Sequence, residues 1–495
     1  MSYIGAIDQG TTSTRFMIFD QAGTVISAAG LEHVQFLPQA GWVEHDPLEI
    51  LRATDHVIKK ALEQAGLTGA DLSAIGITNQ RETTVAWNAM TGVPLHNAIV
   101  WQDTRSQSIL DEIAPSLRPT VTFKTGLPLA PYFSASKMSW MLAHSDTVKS
   151  ALDQQELRFG TIDSWLVWNL CEENIHVTDV SNASRTLLMN LDTLEWDEEL
   201  LQIFGIPKDS LATIKSSSEI YGYTKIDGVF GARIPIAGIV GDQHAALLGQ
   251  LCFEKGESKT TYGTGNFALI NTGTEIIRSN KGLLTTVAFK LGNEPTKYAL
   301  EGSVAVTGSA VQWLRDQLGI IEKSSDIEVL AASVPDNGGV YFVPAFSGLF
   351  APYWRGDARG VIVGLTRAAT KAHIARATLE AICYQTHDVI RAMEEETGVL
   401  IKVLRVDGGI TQNKLCMQIQ ADTLQVEVSR PIVAETTALG AAYAAGLAVG
   451  IWQNKEELLT QWQESDHWTP AISVAQANTG LTEWNKAIER TLNWI

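Results

Sequence analysis

The chain has 495 residues, of which 45% are apolar and 19% charged, and its 37 basic and 55 acidic side chains give a formal net charge of −18. This composition excludes a disordered chain and argues against nucleic acid or an anionic membrane surface as partner, because both are polyanions. A nucleotide remains compatible, since a local loop and a metal ion can hold phosphates against the overall field. The four cysteines lie far apart and the ten histidines form no helical pair, so we expect no disulfide framework and no His or Cys metal site.

The N-terminus has no basic segment followed by a long apolar run, so we predict no signal peptide and a cytoplasmic protein. Residues 436–454 lack charge over a length that could cross a membrane. Because they are mostly Ala and Gly, we predict a buried, closely packed helix there and no membrane insertion.

Short β-branched runs alternate with amphipathic stretches, which predicts an α/β protein. Residues 3–8 and 15–20 are apolar runs joined by a turn too short for a crossover helix, so they should pair as a hairpin. Residues 73–79, 96–101 and 234–241 are each predicted to form a buried strand.

A second hairpin of similar form is predicted to begin near residue 258, with a glycine-containing turn between two β-rich runs. Apolar residues near helical spacing predict a helix over 371–396 that ends at Gly398. Two similar hairpins about 250 residues apart suggest two similar domains facing each other, and we place them at 1–250 and 251–495.

Three loops are candidates for binding a nucleotide. The first, Asp8 to Ser13, offers backbone N–H groups, hydroxyls and a glycine that permits close approach, with Arg15 just beyond it. Asp8 at the strand end is suited to Mg²⁺, which favours one or two carboxylates together with phosphate oxygens. The alternative is an ordinary polar hairpin turn.

The second loop, Gly263 to Gly265, matches the dinucleotide fingerprint when Ala268 is included, but the chain continues as a strand where that motif requires a helix. No Gly-Lys dipeptide occurs, which excludes a P-loop. The third loop, Val406 to Gly409, closes a β-rich run and precedes a helix-like stretch from Asn413, although chain reversal alone would also explain it.

In this order the loops resemble the pattern of the actin, Hsp70 and sugar-kinase ATPases, which implies two ribonuclease-H-like domains flanking a nucleotide cleft. Residues 132–140 further resemble the first signature of the FGGY carbohydrate kinases, apart from Ala143 at an expected polar position. The second signature is matched by residues 360–365 with His373, Ile374, Ala377 and Glu380. The stretches 182–190, 343–354 and 435–452 are similar to the family members that act on glycerol.

The resemblance covers about residues 3 to 455 and implies phosphorylation of glycerol by Mg-ATP to sn-glycerol 3-phosphate, in a homo-oligomer (dimer or tetramer). It places the polyol and the catalytic base on the first domain and the nucleotide mainly on the second. The implied polyol contacts are Arg81, Glu82, Trp101, Tyr132, Asp242, Gln243 and Phe267. The implied ATP contacts are Thr11, Thr12, Ser13, Arg15, Thr264, Gly308, Gln312, Gly409 and Asn413. Asp8 and Asp242 are the implied metal ligands, and Asp242 is the implied base.

The polyol set suits a molecule with three hydroxyls on a short apolar spine. Arg81 can only donate hydrogen bonds, whereas ionised Glu82 and Asp242 can only accept them. Trp101 and Phe267 offer flat apolar walls for the carbon edge, although core packing is the ordinary role of such rings. Asp242 follows a predicted strand and precedes a helix, where it could accept a proton or simply cap the helix.

Residues 227–233 correspond to a loop through which some relatives bind fructose 1,6-bisphosphate. Arg233 is retained, but Val229 replaces an expected lysine and Asp227 adds a negative charge, so we predict no such inhibition. A sister kinase for a longer polyol or a ketose is one alternative function, and a non-catalytic actin-like or Hsp70-like module is the other. The compact polyol set argues against both, because the first needs a roomier pocket and the second needs none.

Overall fold

A computed structural model of the chain describes residues 2–495. The strands are β1 (Tyr3–Gln9), β2 (Ser13–Phe19), β3 (Val25–Glu32), β4 (Glu44–His45), β5 (Leu72–Asn79), β6 (Thr84–Asn88), β7 (Ala98–Ile99), β8 (Leu157–Thr161), β9 (Val177–Asp179), β10 (Met189–Asn190), β11 (Glu195–Trp196), β12 (Thr213–Lys215), β13 (Ser218–Tyr223), β14 (Pro235–Gly241), β15 (Ser258–Tyr262), β16 (Asn266–Gly273), β17 (Leu284–Phe289), β18 (Lys297–Val304), β19 (Tyr341–Val343), β20 (Val361–Val363), β21 (Val403–Asp407), β22 (Glu427–Pro431) and β23 (Glu464–Trp468).

The α-helices are α1 (Pro47–Ala65), α2 (Gln107–Glu112), α3 (Arg118–Thr125), α4 (Ser134–His144), α5 (Asp146–Asp153), α6 (Ile162–Leu170), α7 (Val180–Ala183), α8 (Glu198–Phe204), α9 (Asp242–Gly249), α10 (Gly308–Asp316), α11 (Asp326–Ala332), α12 (Lys371–Thr397), α13 (Lys414–Leu424), α14 (Thr436–Ala448), α15 (Lys455–Leu459) and α16 (Val474–Glu489). Short 3₁₀ helices cover Gly69–Asp71, Lys208–Ser210 and Gly409–Gln412. Between residues 2 and 495 no helix combines the length and the apolar character that crossing a membrane requires.

The first large sheet has the strand order β13-β14-β5-β1-β2-β3. The predicted hairpin is confirmed: β1 pairs antiparallel with β2, and Asp8 lies opposite Arg15. Strands β5 and β14 continue the sheet in parallel with β1, so the predicted strands at 73–79 and 234–241 are also confirmed.

The predicted strand at 96–101 is wrong in length, because only Ala98–Ile99 forms β7. It pairs with β4, which is itself only two residues long, and with β6 only at Thr84, so few backbone groups are aligned to extend the ladder. Beyond it the chain turns, and Trp101 leaves the strand for the site described below.

The two faces of the first sheet are covered by helices from different parts of the chain. Helices α1 and α6 pack on one face, and α9 and α14 pack on the other. The close approach of α14 requires glycine in the strands, since a Cβ at Gly76 would lie 2.2 Å from the Ala441 carbonyl oxygen and one at Gly238 would lie 2.7 Å from it. The buried helix predicted within 436–454 is thus confirmed at Thr436–Ala448.

The second large sheet has the order β17-β18-β16-β15-β21-β22-β23. It repeats the topology of the first: an antiparallel hairpin, β15 with β16, is followed by parallel strands β21 and β22. Helices α12 and α13 pack on one face, and α12 ends at Gly398 as predicted, with φ 66°. Helix α9 lies between the two sheets, because its apolar residues pack against strands of both.

Candidate active site

The site lies where the parallel strands β1, β5 and β14 end. Since the carboxyl ends of parallel strands meet at one edge of a sheet, the residues at and just beyond these ends come together there. They are Asp8 near the end of β1, Arg81 and Glu82 just after β5, and Asp242 directly after β14. Residues from three segments that are distant in sequence are therefore neighbours in the fold.

Arg81 is the centre of a buried ionic cluster. Its Nε lies 3.0 Å from Oδ1 of Asp242, and its two terminal nitrogens both donate to the carboxylate of Glu301 on β18. A second arginine, Arg185, donates from Nε to Glu82 Oε1 at 2.7 Å and from a terminal nitrogen to Glu301 at 3.1 Å. Arg81, Glu82, Arg185 and Glu301 are each at most 3% exposed. We did not predict Arg185 and Glu301, whose partners lie far away in the sequence.

The cluster sets the charge of its members. Burial acts to raise the pKa of Glu301, but the charges of Arg185 and Arg81 outweigh it and hold that pKa at about 2. Burial raises the pKa of Glu82 above its ordinary value, against the lowering effect of the same two arginines. Because each buried charge depends on its partners, removal of one is expected to cost about 3–5 kcal/mol.

A strained turn delivers both Arg81 and Glu82 to this cluster. Glu82 has φ 60°, and the Thr83 N–H donates to the Arg81 carbonyl oxygen at 2.7 Å across it. Three-residue turns of this hand are rare and cost free energy in a non-glycine residue. The Glu82 carbonyl is held in place by the Ser134 hydroxyl at 3.0 Å, so the surrounding structure supports the strained backbone.

Aromatic residues form the walls around the cluster. The Trp101 and Tyr132 rings meet edge to face at 5.4 Å, and the Phe267 ring lies 6.0 Å from the Arg81 guanidinium carbon. Trp101 Nε1 donates to the Thr11 hydroxyl at 2.9 Å, which links this wall to the first hairpin turn. Burial, assisted by the charge of Glu82, raises the pKa of Tyr132, so its hydroxyl keeps its proton.

Two buried lysines support the site, and sequence reasoning assigned a role to neither. Lys137 donates to the carbonyl oxygens of Pro131, Tyr132 and Phe133 and so fixes the loop that carries Tyr132. It lies in the first signature stretch, which was the available signal. Lys259 on β15 donates to the Gln243 side-chain oxygen.

Asp242 is the first residue of α9, whose N-cap is Gly241, so the alternative role of Asp242 as N-cap is wrong. Its Oδ1 forms an ion pair with Arg81 Nε at 3.0 Å and accepts a hydrogen bond from the Gln243 backbone N–H at 2.6 Å. The side chain is 29% exposed, in contrast to the buried carboxylates beside it. A carboxylate that is oriented through one oxygen and partly open to solvent is suited to contact a substrate.

The carboxylates near Asp8 fit a magnesium ion. Burial raises the pKa of Asp8, Arg15 opposes this, and the charges of Asp242 and Glu435 add to the increase, so that the pKa lies at about 7. Acidic groups that disfavour one another's ionisation form an oxygen donor set that a divalent cation would neutralise. Among residues 2–495 no group of three or more His, Cys, Asp and Glu side chains could hold a metal alone, so waters or phosphate oxygens would have to complete the shell.

A cavity of about 410 Å³ lies on the second sheet. It is lined by all five nucleotide residues predicted in this half of the chain: Thr264, Gly308, Gln312, Gly409 and Asn413. Helix α10 begins at Gly308, and Asn413 caps α13, so two helix N-termini with their free N–H groups border the space. Ile327, Glu328 and Ile410 also line it and were not predicted.

The predicted residues of the first hairpin turn do not line this cavity. Gly10 N–H closes the turn on the Ser13 carbonyl at 2.9 Å, and Thr12 is exposed. Arg15 reaches across to the second half of the chain and pairs with Glu435 at 2.9 Å. The first hairpin turn thus lies beside Asp8 and Trp101, between the ionic cluster and the second half of the chain.

The loop at 227–233 presents no free cation at Arg233. The Arg233 guanidinium lies 3.0 Å from Glu172 and 3.9 Å above the Tyr223 ring. Phe230 is buried and meets Phe16 at 5.9 Å, so the middle of the loop is part of the core.

Comparison with known proteins agrees with this geometry. The model of the FGGY family of carbohydrate kinases matches with its N-terminal domain over residues 3–249 and with its C-terminal domain over residues 259–449. Glycerol kinase 1 of Streptomyces coelicolor is 59% identical over 100% of this chain and 98% of its own length. Glycerol kinase of Mycobacterium tuberculosis is 58% identical over 100% of this chain and 96% of its own length.

Solved structures agree on the fold. Plasmodium falciparum glycerol kinase with ADP superposes with a TM-score of 0.94 at 39% identity, covering 99% of this chain and 98% of that one. A ligand-bound xylulose kinase from Lactobacillus acidophilus has a TM-score of 0.87 at 23% identity and covers 99% of this chain and 98% of its own, which shows the fold alone. The predicted two-domain, actin-like ATPase fold is confirmed, and the chain belongs to the FGGY family of carbohydrate kinases.

Proposed function

We propose that this chain phosphorylates glycerol with Mg-ATP, giving sn-glycerol 3-phosphate and ADP. The observation that carries the proposal is the compact polar site at Arg81. There the side chains predicted to contact a polyol lie against one another, with Asp242 held at 3.0 Å from the guanidinium. The full-length relatives named above are glycerol kinases, which favours glycerol over a longer polyol.

Asp242 is the proposed base. Its Oδ1 is engaged by Arg81 and by the Gln243 N–H, which leaves Oδ2 to accept the proton of a terminal hydroxyl. The deprotonated oxygen then attacks the γ-phosphorus in line, and ADP leaves. Phosphoryl transfer needs little covalent assistance, so orientation, charge neutralisation and one proton acceptor suffice.

Asp8 and Asp242 are the proposed ligands of Mg²⁺, which when bound neutralises charge on the phosphate oxygens. Thr264, Gly308, Gln312, Gly409 and Asn413 are proposed to hold the nucleotide in the 410 Å³ cavity. Thr11, Thr12 and Ser13 are proposed to contact its phosphates. Arg15 is proposed to do the same, for which it must exchange Glu435 for a phosphate oxygen.

We infer a cytoplasmic homo-oligomer, dimer or tetramer, by analogy with the family. The functional domains are placed at residues 1–250 and 251–495. We propose that fructose 1,6-bisphosphate does not inhibit the protein, because Arg233 is already paired with Glu172 and residues 227–233 contain no lysine.

The test is ADP release from Mg-ATP in the presence of glycerol, dihydroxyacetone, erythritol, xylitol, xylulose or ribulose. We expect strong release with glycerol and weak release with the four- and five-carbon compounds. Preference for a longer substrate would overturn the polyol assignment and leave the kinase fold intact. ADP release at the same rate with and without each of these compounds would overturn the kinase proposal itself.

A further inference from the structure

Lys259 lies at the junction between the polyol residues and the nucleotide hairpin. It belongs to β15 and is 0% exposed. Its amine reaches from the second sheet to helix α9 and donates to the Gln243 side-chain oxygen. It also donates to the Thr261 hydroxyl at 2.9 Å and lies 3.5 Å from the Phe267 carbonyl oxygen.

These contacts determine which way the Gln243 amide faces. A lysine ammonium has three donors and no acceptor, so the atom of Gln243 that meets it must be the oxygen, Oε1. The amide nitrogen Nε2 then points away from Lys259. Across residues 2–495 no protein acceptor is recorded for this nitrogen, and its two hydrogens remain available to a ligand. Gln243 follows Asp242 directly, so this donor lies beside the proposed base.

Such a donor complements the carboxylates beside it. Both terminal nitrogens of Arg81 already donate to Glu301, and its Nε lies 3.0 Å from Oδ1 of Asp242. Glu82 and Asp242 add carboxylate oxygens, which can only accept. A buried hydroxyl of a polyol both donates and accepts, and a carboxylate satisfies only its donor. An amide free to rotate would often present a further acceptor instead of an N–H.

We propose that Lys259 is a positioning residue that fixes the Gln243 amide with its N–H donors facing the substrate, so that the pocket selects a ligand with an acceptor oxygen at that point. The proposal rests on the proposed function and deepens it by assigning a specificity role outside the residues that contact substrate. Lys259 does not touch the substrate and acts only through Gln243.

A double-mutant cycle tests the proposal. We expect K259M to raise the KM for glycerol about tenfold, with the KM for ATP within about twofold, because one oriented hydrogen bond is lost. In a Q243L background the same K259M change should alter the KM for glycerol by less than about twofold, because the amide through which Lys259 acts is absent. Lys297→Met, a partly buried lysine of β18 in the same sheet, is the matched control and should leave both constants unchanged.

Q243E is a second variant that retains a partner for Lys259 and so protects the fold. Its carboxylate still accepts from the lysine but offers the substrate an oxygen in place of an N–H. We expect a rise of the glycerol KM at least as large as in K259M. An unchanged KM in Q243E, or equal K259M effects in both backgrounds, would overturn the role of Lys259. Failure of the unmodified protein to phosphorylate glycerol would instead overturn the proposed function.

Discussion

Around Arg81, four ionised side chains at most 3% exposed hold one another in place, whereas at Thr264 the chain surrounds about 410 Å³ of open space with glycines, hydroxyls and amides. The first region is organised by charge pairs between distant strands, and the second by backbone turns and helix starts. A three-carbon ligand offers few contacts, so its binding groups must already be fixed, while a nucleotide offers many contacts that can be spread over loops. This contrast predicts that substitutions on the two sides have separable effects.

The largest effect is expected at Asp242. Replacing it with Asn removes the proton acceptor and should lower kcat by about 10²- to 10⁴-fold, with a much smaller change in glycerol KM. Steady-state kinetics over a glycerol titration measures both constants. Asp227→Asn, on the remote loop, serves as the control. Near-normal turnover of D242N would rule out Asp242 as the base.

Breaking the ionic cluster should cost stability as well as glycerol binding. Glu301→Gln leaves Arg81 and Arg185 without their shared carboxylate and should lower the free energy of unfolding by about 3–5 kcal/mol in urea titrations. Glu275→Gln removes the carboxylate of an exposed pair with Lys255 and should cost no more than about 1 kcal/mol. Equal losses in the two variants would mean that the buried cluster adds no particular stability.

The nucleotide side should respond to a backbone change. Gly408 has φ 92°, and a Cβ there would lie 2.4 Å from the Tyr262 carbonyl oxygen. We expect Gly408→Ala to raise the KM for ATP about tenfold and to leave the KM for glycerol nearly unchanged. Gly319 also has positive φ, but no atom lies within 4 Å of its Cβ position. The control variant G319A therefore introduces backbone strain without a steric clash. A raised KM for glycerol in G408A would show that the Arg81 cluster and the cavity at Thr264 do not act separately.

Asp8 should make stability depend on pH. Its folded-state pKa of about 7 lies above its ordinary value of 3.8, so the folded protein holds this proton more tightly than the unfolded chain. The unfavourable charge is fully present above pH 7 and is relieved as the pH falls through that value. Without Mg²⁺ or nucleotide, Asp8→Asn should therefore raise the thermal midpoint at pH 8, and the gain should shrink towards pH 5. An equal gain in thermal midpoint at pH 8 and pH 5 would contradict the raised pKa of Asp8.

The smallest effect is expected from fructose 1,6-bisphosphate, which should leave the rate unchanged across the millimolar range. Its contact residue in some relatives, Arg233, is paired here with Glu172. The measurement is the rate of glycerol phosphorylation at saturating Mg-ATP over a range of fructose 1,6-bisphosphate concentrations. A clear inhibition would mean that Arg233 exchanges Glu172 for phosphate.

The features that could be predicted from sequence are those that neighbouring residues determine. Both hairpins, the strands around β5 and β14 and the Gly398 helix end depend on short-range patterns, whereas the predicted residues that line the 410 Å³ cavity were implied by the family resemblance. Arg185 and Glu301 could not be found in this way, because their partners lie between 103 and 220 residues away. The strand at 96–101 was predicted too long, because its length depends on how it pairs with β4 and β6, which no local pattern reveals.

Helix α14 has a consequence for how the chain is made. It covers Ala74, Ala237 and Val240 on the first sheet, yet it ends only at Ala448. At roughly 5–20 residues per second, the ribosome needs about 10–40 s to extend the chain from residue 250 to residue 448. During that interval the nascent first half can cover this sheet face only with α9, and the apolar area that α14 covers stays exposed until later residues are made. A fragment ending at residue 250 should therefore associate with chaperones or aggregate, and supplying the second half in trans should rescue it.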